Sequence, residues 1–178
     1  MNQLKEKIHI LNIFIMSIKH LSPKSKEELR ASSKNMTSYE MLKFACEEGL
    51  LWMAKEAIEK GADPAISNNH PLLWACQGGH YNIVKYLLTF HRVNPADLES
   101  VSLRSAVYYK HIDIVKLLLN DGRANPADNE LELIKDTVKN HPETKPIPQI
   151  LRLLFKDKRF AQAYEKYVRS KRFKKSFR

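Results

Sequence analysis

The side chains here best able to act as nucleophiles or soft metal ligands are Cys46, Cys76 and seven histidines, at positions 9, 20, 70, 80, 91, 111 and 141. A structural zinc site needs about four such ligands in closely spaced pairs, and the cysteines and histidines here are not expected to supply that set. A catalytic thiol needs a base beside it. Cys46 and Cys76 instead occupy equivalent places in a repeated pattern whose next copy carries Val107. A cysteine interchangeable with valine is a small hydrophobe, so both are expected to be buried free thiols, which suits a reducing compartment. The sequence has no phosphate-cradling glycine loop, no nucleophile elbow and no paired acid/base constellation. The chain is therefore expected to be no enzyme and to take no cofactor, no metal and no small-molecule substrate.

Composition sets the frame for the elements that would position any site. The 178 residues are 43% hydrophobic and 28% charged, close to the roughly 25% charged residues of globular domains, which excludes wholesale disorder. Five glycines and eight prolines exclude collagen-like chains. No run approaches the ~18 apolar residues of a membrane-spanning helix. The net charge of +10 is unevenly spread: from Lys156 to Arg178 ten basic residues face two acidic ones, while residues 1–155 hold twenty against eighteen. The body is nearly neutral and the C-terminal segment is basic.

An internal repeat organises that body. Ala45-Cys46, Ala75-Cys76 and Ala106-Val107 recur at offsets of 30 and 31, and Asp63-Pro64-Ala65, Asn94-Pro95-Ala96 and Asn125-Pro126-Ala127 recur at 31 and 31. Each unit reads as two short helices. The first places Leu42, Leu72 or Leu103 three and four residues before its Ala-Cys or Ala-Val pair, and the second lines up Val84, Leu87 and Leu88, then Val115, Leu118 and Leu119. Gly49 and Gly79 fall between the helices, where a positive φ is expected, and Lys110 takes that place in the third unit. A divergent fourth unit carries Leu133, Ile134, Thr137 and Val138 in its first helix. Residues from Ile147 to Leu154 follow Ile112 to Leu119 at an offset of 35, with the added residues in the turn from His141 to Pro146.

Pro71-Leu72-Leu73-Trp74-Ala75-Cys76, Gly78-Gly79-His80, Ile83-Val84-Lys85-Tyr86-Leu87-Leu88 and Gly61-Ala62-Asp63-Pro64 resemble the ankyrin repeat family. The ending from Asp121 to Asp128 is similar to repeats of large amoebal and giant-virus ankyrin families, which would place a viral copy in a host cell. The family's Thr before Pro is His70 here, and its following His is Leu73 or Arg104. That loss weakens the hydrogen-bonded turn and implies a less regular stack. The resemblance implies an all-α helix-turn-helix solenoid of about four repeats with flanking N- and C-terminal helices. The expected limits are 1–36 for the N-terminal extension and linker, 37–160 for the repeats (37–66, 67–97, 98–128, 129–160), and 161–178 for the basic tail.

The resemblance also implies a non-enzymatic adaptor, monomeric and intracellular, that docks a protein partner of unspecified identity on its concave face. In the family, partners meet the turn tips and the exposed side of the first helices. The tips here are Asn68, Asn69 and His70; Asp97, Leu98, Glu99 and Ser100; and Asp128, Asn129 and Glu130. The helix face offers Lys43, Glu47, Trp74, Gln77, Arg104, Tyr108 and Tyr109. Aromatic and arginine side chains dominate interface energies, so Trp74, Arg104, Tyr108 and Tyr109 form the candidate contact cluster. The alternative is that Trp74 and one tyrosine pack between neighbouring repeats.

Both ends carry further signals. Ile8, Leu11, Ile15 and Ile18 share one helical face, which predicts a helix covering the first repeat. Lys5 and Lys7 precede that apolar stretch as in a secretory signal, but Lys19, His20 and Pro23 follow and no small-residue cleavage site does. An F-box-like role for this segment lacks the expected Leu-Pro opening. Residues 22–38 read as a polar linker with a short helix from Lys24 to Arg30, and Met36 before Thr37 offers a second translation start. Phe160, Tyr164, Tyr167 and Val168 predict a capping helix over about 160–172. The cluster Lys171, Arg172, Lys174 and Lys175 has three readings: a solvated tail, a nuclear import signal, or a polyanion contact that makes the protein nucleic-acid- or membrane-associated.

Overall fold

The computed structural model describes residues 23–128 and 146–175, with side chains from 26 to 128 and 149 to 169. The apolar segment 8–21, the first helix of the expected fourth unit, and the tip residues Asn129 and Glu130 lie outside the described residues. Nine helices and no strand occur among the described residues: α1 Pro23–Ser32, α2 Ser38–Glu48, α3 Leu51–Glu59, α4 Ile66–Gln77, α5 Tyr81–Leu87, α6 Asp97–Tyr108, α7 Ile112–Asp121, α8 Pro146–Lys156 and α9 Lys158–Lys175. First helices α2, α4 and α6 stack in one row. Second helices α3, α5, α7 and α8 stack in the other, with α9 against α8.

The start of α2 is written in Thr37 and Glu40. The Thr37 hydroxyl accepts from the Glu40 N–H at 3.2 Å and the Glu40 carboxylate accepts from the Thr37 N–H at 2.8 Å, a reciprocal box that satisfies two orphan donors. Each first helix then turns a narrow stripe inward. Leu42, Ala45 and Cys46, Leu72, Ala75 and Cys76, and Leu103, Ala106 and Val107 are all fully buried. The second position of each stripe is alanine, Ala45, Ala75 and Ala106, which keeps the buried stripe narrow. The second helices bury Ile83, Val84 and Leu87, then Ile114, Val115 and Leu118.

The helix junction uses the predicted left-handed backbone. Gly49 (φ 80°), Gly79 (φ 75°) and Lys110 (φ 63°) all adopt it, and Lys110 does so against the Cβ penalty of about 1–2 kcal/mol. Glycine has a second use here. The His80 imidazole lies over the preceding junction, where a Cβ on Gly49 would come 2.5 Å from Nδ1 and one on Gly78 would run into Nε2. His111 covers Gly79 in the same way. His80 Nε2–H donates to the Glu47 carbonyl at 2.9 Å and His111 Nε2–H to that of Gln77 at 3.0 Å, so each histidine closes the C-terminus of the preceding unit's first helix.

The loops entering α4 and α6 are unusual. Ser67, Asn68 and Asn69, and again Leu98, Glu99 and Ser100, form single turns of left-handed helix with φ between 51° and 64°. Each closes on itself through Asn69 N–H to the Ala65 carbonyl (3.2 Å) and Ser100 N–H to that of Ala96 (3.1 Å). These turns bury one polar side chain each and aim it at the next unit. Asn69 Oδ1 accepts from the Asn94 N–H at 2.9 Å and its amide donates to Asp97 at 2.5 Å. Ser100 Oγ accepts from the Asn125 N–H at 2.9 Å and donates to Asp128 at 2.6 Å. The family's Thr/His turn is thus replaced by a polar rung from each tip to the Asn-Pro-Ala-Asp box ahead of it.

Three sequence expectations change. Residues 23–32 are more than a linker with a short helix, because Leu29 of α1 is buried in the core and Arg30 pairs with Glu56 at 3.1 Å. The C-terminal helix begins at Lys158 and runs to Lys175, longer at both ends than expected. The correspondence of α8 with α7 shifts from 35 to 36: the buried Ile150 and Leu154 match Ile114 and Leu118, and Asp157-Lys158-Arg159 matches Asp121-Gly122-Arg123. A helix exposes one stripe only, so a one-residue error rotates the assigned face by about 100°.

The stacked junction predicts a non-additive pair. Gly78 has an ordinary helical φ of −76°, so Gly78→Ala alone carries no backbone strain and is opposed only by the His80 ring. It should destabilise by about 1–3 kcal/mol, whereas in a His80→Ala background it should be neutral or mildly stabilising. Urea denaturation of the four-member cycle measures this, and additivity within experimental error would refute it. A parallel test concerns the rungs. Ser100→Ala, which orphans the Asn125 N–H, should cost about 1–3 kcal/mol, while Glu99→Gly should stabilise by up to about 1 kcal/mol through relief of its left-handed φ.

Candidate functional site

The repeat register places Lys43, Leu73 and Arg104 on one line along the first helices and Glu47, Gln77 and Tyr108 on the next. Phe44, Trp74 and Ser105 form a third line turned further inward. Trp74 is accordingly half-buried and packs against the core. Its ring meets Tyr39 of the preceding unit at 6.4 Å and His70 at 5.6 Å, and the Lys43 ammonium lies 5.7 Å from its centroid. Lys43 also reaches the Glu47 carboxylate at 3.9 Å. Three of the predicted residues, Lys43, Glu47 and Trp74, are therefore brought together at the border of the first and second units.

The others form a second group one unit on. Tyr108 and Tyr109 are exposed and meet edge to face at 5.0 Å, and Tyr109 stacks on His111 at 6.3 Å. Arg104 pairs with Glu99 at 3.7 Å, tying the helix face to its own tip. The Gln77 side chain is exposed. Trp74 makes its ring contacts toward the first unit, whereas the tyrosine pair faces His111, so the expected single cluster is two neighbouring patches. Tyr39, absent from the sequence reading, belongs to the first patch. The signal was available: it stands one helical turn before Lys43, on the face that meets the next repeat.

The tips divide similarly. Asn68, Leu98 and Glu99 are exposed, but Asn69 and Ser100 are buried and consumed by the rungs. His70 bonds through Nδ1 to the Ser67 carbonyl and lies against Trp74. Asp97 and Asp128 accept from the rungs and from Asn94 and Asn125 within their own boxes. Four of the eight described tip residues, Asn69, Asp97, Ser100 and Asp128, thus hold the stack together.

This repeated two-helix architecture with its inter-unit histidines matches the family described as ankyrin repeats (3 copies), over residues 29–130. The chain belongs to the ankyrin repeat family. No curated protein and no solved structure matches it. Ankyrin repeats mediate protein–protein interaction and are typically non-enzymatic.

Among the described residues no three or more His, Cys, Asp or Glu side chains gather as a metal site, and no helix is long and apolar enough to cross a membrane. Both cysteines are buried free thiols on adjacent first helices. Burial pushes the Cys46 thiol up to about 12, with Glu47 adding to the shift, and burial likewise raises that of Cys76. With its pKa raised that far, the Cys46 thiol stays protonated at pH 8.

Arginines at the repeat ends were not recognised as part of the fold. Arg123 grips Asp121 through Nε and Nη2, both at 2.8 Å, and donates to the Val93 and Leu88 carbonyls of the preceding unit at 2.8 and 3.1 Å. Arg159 grips Asp157 and donates to the Gly122 carbonyl at 2.9 Å. Arg92, at the same repeat position, reaches back to Asp63 at 2.9 Å. Arg123 and Arg159 hold the Asp121 and Asp157 carboxyls below the usual carboxylate range.

Native protein mixed with a thiol-reactive dye at pH 8 should leave Cys46 and Cys76 unlabelled on the timescale that labels both fully in denaturant. Fast stoichiometric labelling without denaturant would contradict their burial.

Proposed function

We propose that this ankyrin repeat protein is a non-catalytic adaptor that docks a protein partner on the face made by the first helices and their tips. The supporting observation is the distribution of exposed apolar side chains. Among the described residues, the large hydrophobic side chains left most exposed are Tyr39, Tyr81, Leu98, Tyr108, Tyr109 and Phe155; three of these six lie on α2 or α6, and a fourth, Tyr109, caps α6. Tyrosine at an interface offers large contact area with little rotamer entropy to lose. Leu98 adds to this: a half-exposed leucine held at φ 51° on a tip gains nothing for the fold. Arg104, held by Glu99, sits between Leu98 and the tyrosines in the chain and supplies a charged group for orientation.

The repeat unit of this reading extends over 37–160, with α8 and the Asp157–Arg159 clip closing a fourth unit and α9 as the flanking helix. The two buried thiols support residence in a reducing compartment.

Site-specific photocrosslinking in the native cell tests the docking face. A crosslinker replacing Tyr108 or Tyr109 should capture a discrete partner, and one replacing Tyr86 on α5 should not. Arg104→Ala with Tyr108→Ala and Tyr109→Ala should abolish co-purification of that partner while the helical circular dichroism stays unchanged. Capture from Tyr86 alone, or co-purification that survives the triple substitution, would place the interface elsewhere. Trp74 is left intact because its ring is part of the stack.

A further inference from the structure

α8 closes the row of second helices, and its outward side differs from those before it. Register matches Phe155 with Leu119 and Leu88, leucines that pack half-buried against the core. Phe155 is 43% exposed. Its ring is nonetheless fixed, because Phe160 and Tyr164 of α9 meet it edge to face at 5.2 and 5.0 Å, with interplanar angles of 84° and 89°. At about 100° per residue, Arg152, Phe155 and Lys156 fall within roughly one-third of the circumference of α8, turned away from the buried Ile150 and Leu154. Arg152 and Lys156 are exposed, and so is Lys158, which opens α9 just beyond the ring.

The acids nearby are already engaged. From Gln149 to Arg169 these are Asp157 and Glu165; Asp157 is held by Arg159 at 2.6 Å, and Glu165 lies 3.5 Å from Arg169. Among the described residues no acid lies within ion-pair distance of Arg152, Lys156 or Lys158. Three unpaired cations around a fixed, open aromatic ring suit a strand that carries phosphates and exposed base faces at once. Base–aromatic stacking needs an unstacked base, which a single strand offers and a duplex keeps within its stack. An interfacial membrane contact needs a broad apolar face, and here one ring stands among charges. An acidic peptide would answer the cations and leave the ring without a planar partner.

We infer that the outer face of α8 and the turn into α9 bind single-stranded nucleic acid without sequence preference: a base stacks on Phe155, and Arg152, Lys156 and Lys158 contact the flanking phosphates. The ring and the three cations meet only features that RNA and DNA share. This face belongs to the row of second helices, so the binding is independent of docking on the first helices, and either can fail without the other.

Fluorescence anisotropy on the full chain, with a labelled, unstructured RNA of about ten nucleotides, tests it. Affinity should fall with salt at a log–log slope at least as steep as about −2, for about three phosphates at ~0.7 each. Phe155→Leu restores the residue of the preceding units, so packing is kept while the stack is lost. It should weaken binding at least about fivefold, with the helical circular dichroism and the salt slope unchanged. Phe155→Tyr, which keeps the ring, should bind within about twofold of the parent. Arg152→Gln, Lys156→Gln and Lys158→Gln together should flatten the slope by about 2. Single-stranded DNA of the same sequence should bind within about threefold of the RNA. A duplex of equal length, vesicles containing phosphatidylserine and polyglutamate serve as the other arms. Preference for any of these over the single strand, full binding by Phe155→Leu, or a triple variant that binds as the parent does, would overturn the proposal.

Discussion

The stack depends on one recurring interaction, a polar side chain that leaves one repeat and satisfies the backbone of the next. Asn69 and Ser100 do this at the tips, and His80 and His111 do it in the reverse direction at the helix junctions. Apolar burial alone would leave neighbouring helix pairs free to slide, because stripes of Ala, Leu and Cys look alike at successive turns. A buried hydrogen bond has one register at which donor and acceptor meet, and the penalty for missing it is about 1–3 kcal/mol. The repeat offset of 31 is set in this way by Asn69-to-Asn94 and Ser100-to-Asn125, both spanning 25 residues.

These contacts also account for the left-handed turns. Three successive non-glycine residues at positive φ cost several kcal/mol taken separately, yet the turn occurs twice at the same position. It is the conformation that brings the third residue inward under the following Asn-Pro-Ala-Asp box while the first two stay outside. Asparagine tolerates this region better than most residues and suits the second unit. The third unit accepts Leu98 and Glu99 there, with Glu99 pairing to Arg104 of its own helix.

Much of this was legible in the sequence, and the reasons for what was not are specific. Two markers gave the period, and helical spacing gave every buried triplet of the first helices, because burial follows periodicity. The positive φ of Lys110 was legible from its glycine counterparts. Which tip residues are consumed was not, since Asn68 and Asn69 differ only in where a left-handed turn points them. The arginine clips escaped for a similar reason: Arg92, Arg123 and Arg159 share a position, but Phe90 stands where Asp121 and Asp157 do, so no Asp-x-Arg motif repeats three times. On the candidate face, residue types identified the tyrosines correctly as exposed, while Trp74 was pulled inward by a register that side-chain type does not report.

The same clips change how the basic charge is understood. Counted by segment, Arg159 belongs to the positive tail, but its guanidinium is held by Asp157 and spent on the Gly122 carbonyl. Charge on this chain therefore divides by whether it is already neutralised at short range. Asp63, Asp121, Asp157 and Glu56 each hold a cation of the body, and those pairs project little field beyond about a Debye length of 8–10 Å. In α9 the single acid meets one arginine and the remaining basic positions have no acid on their own helix. Several cations of the body are thus matched at short range, whereas α9 carries eight basic residues against one acid.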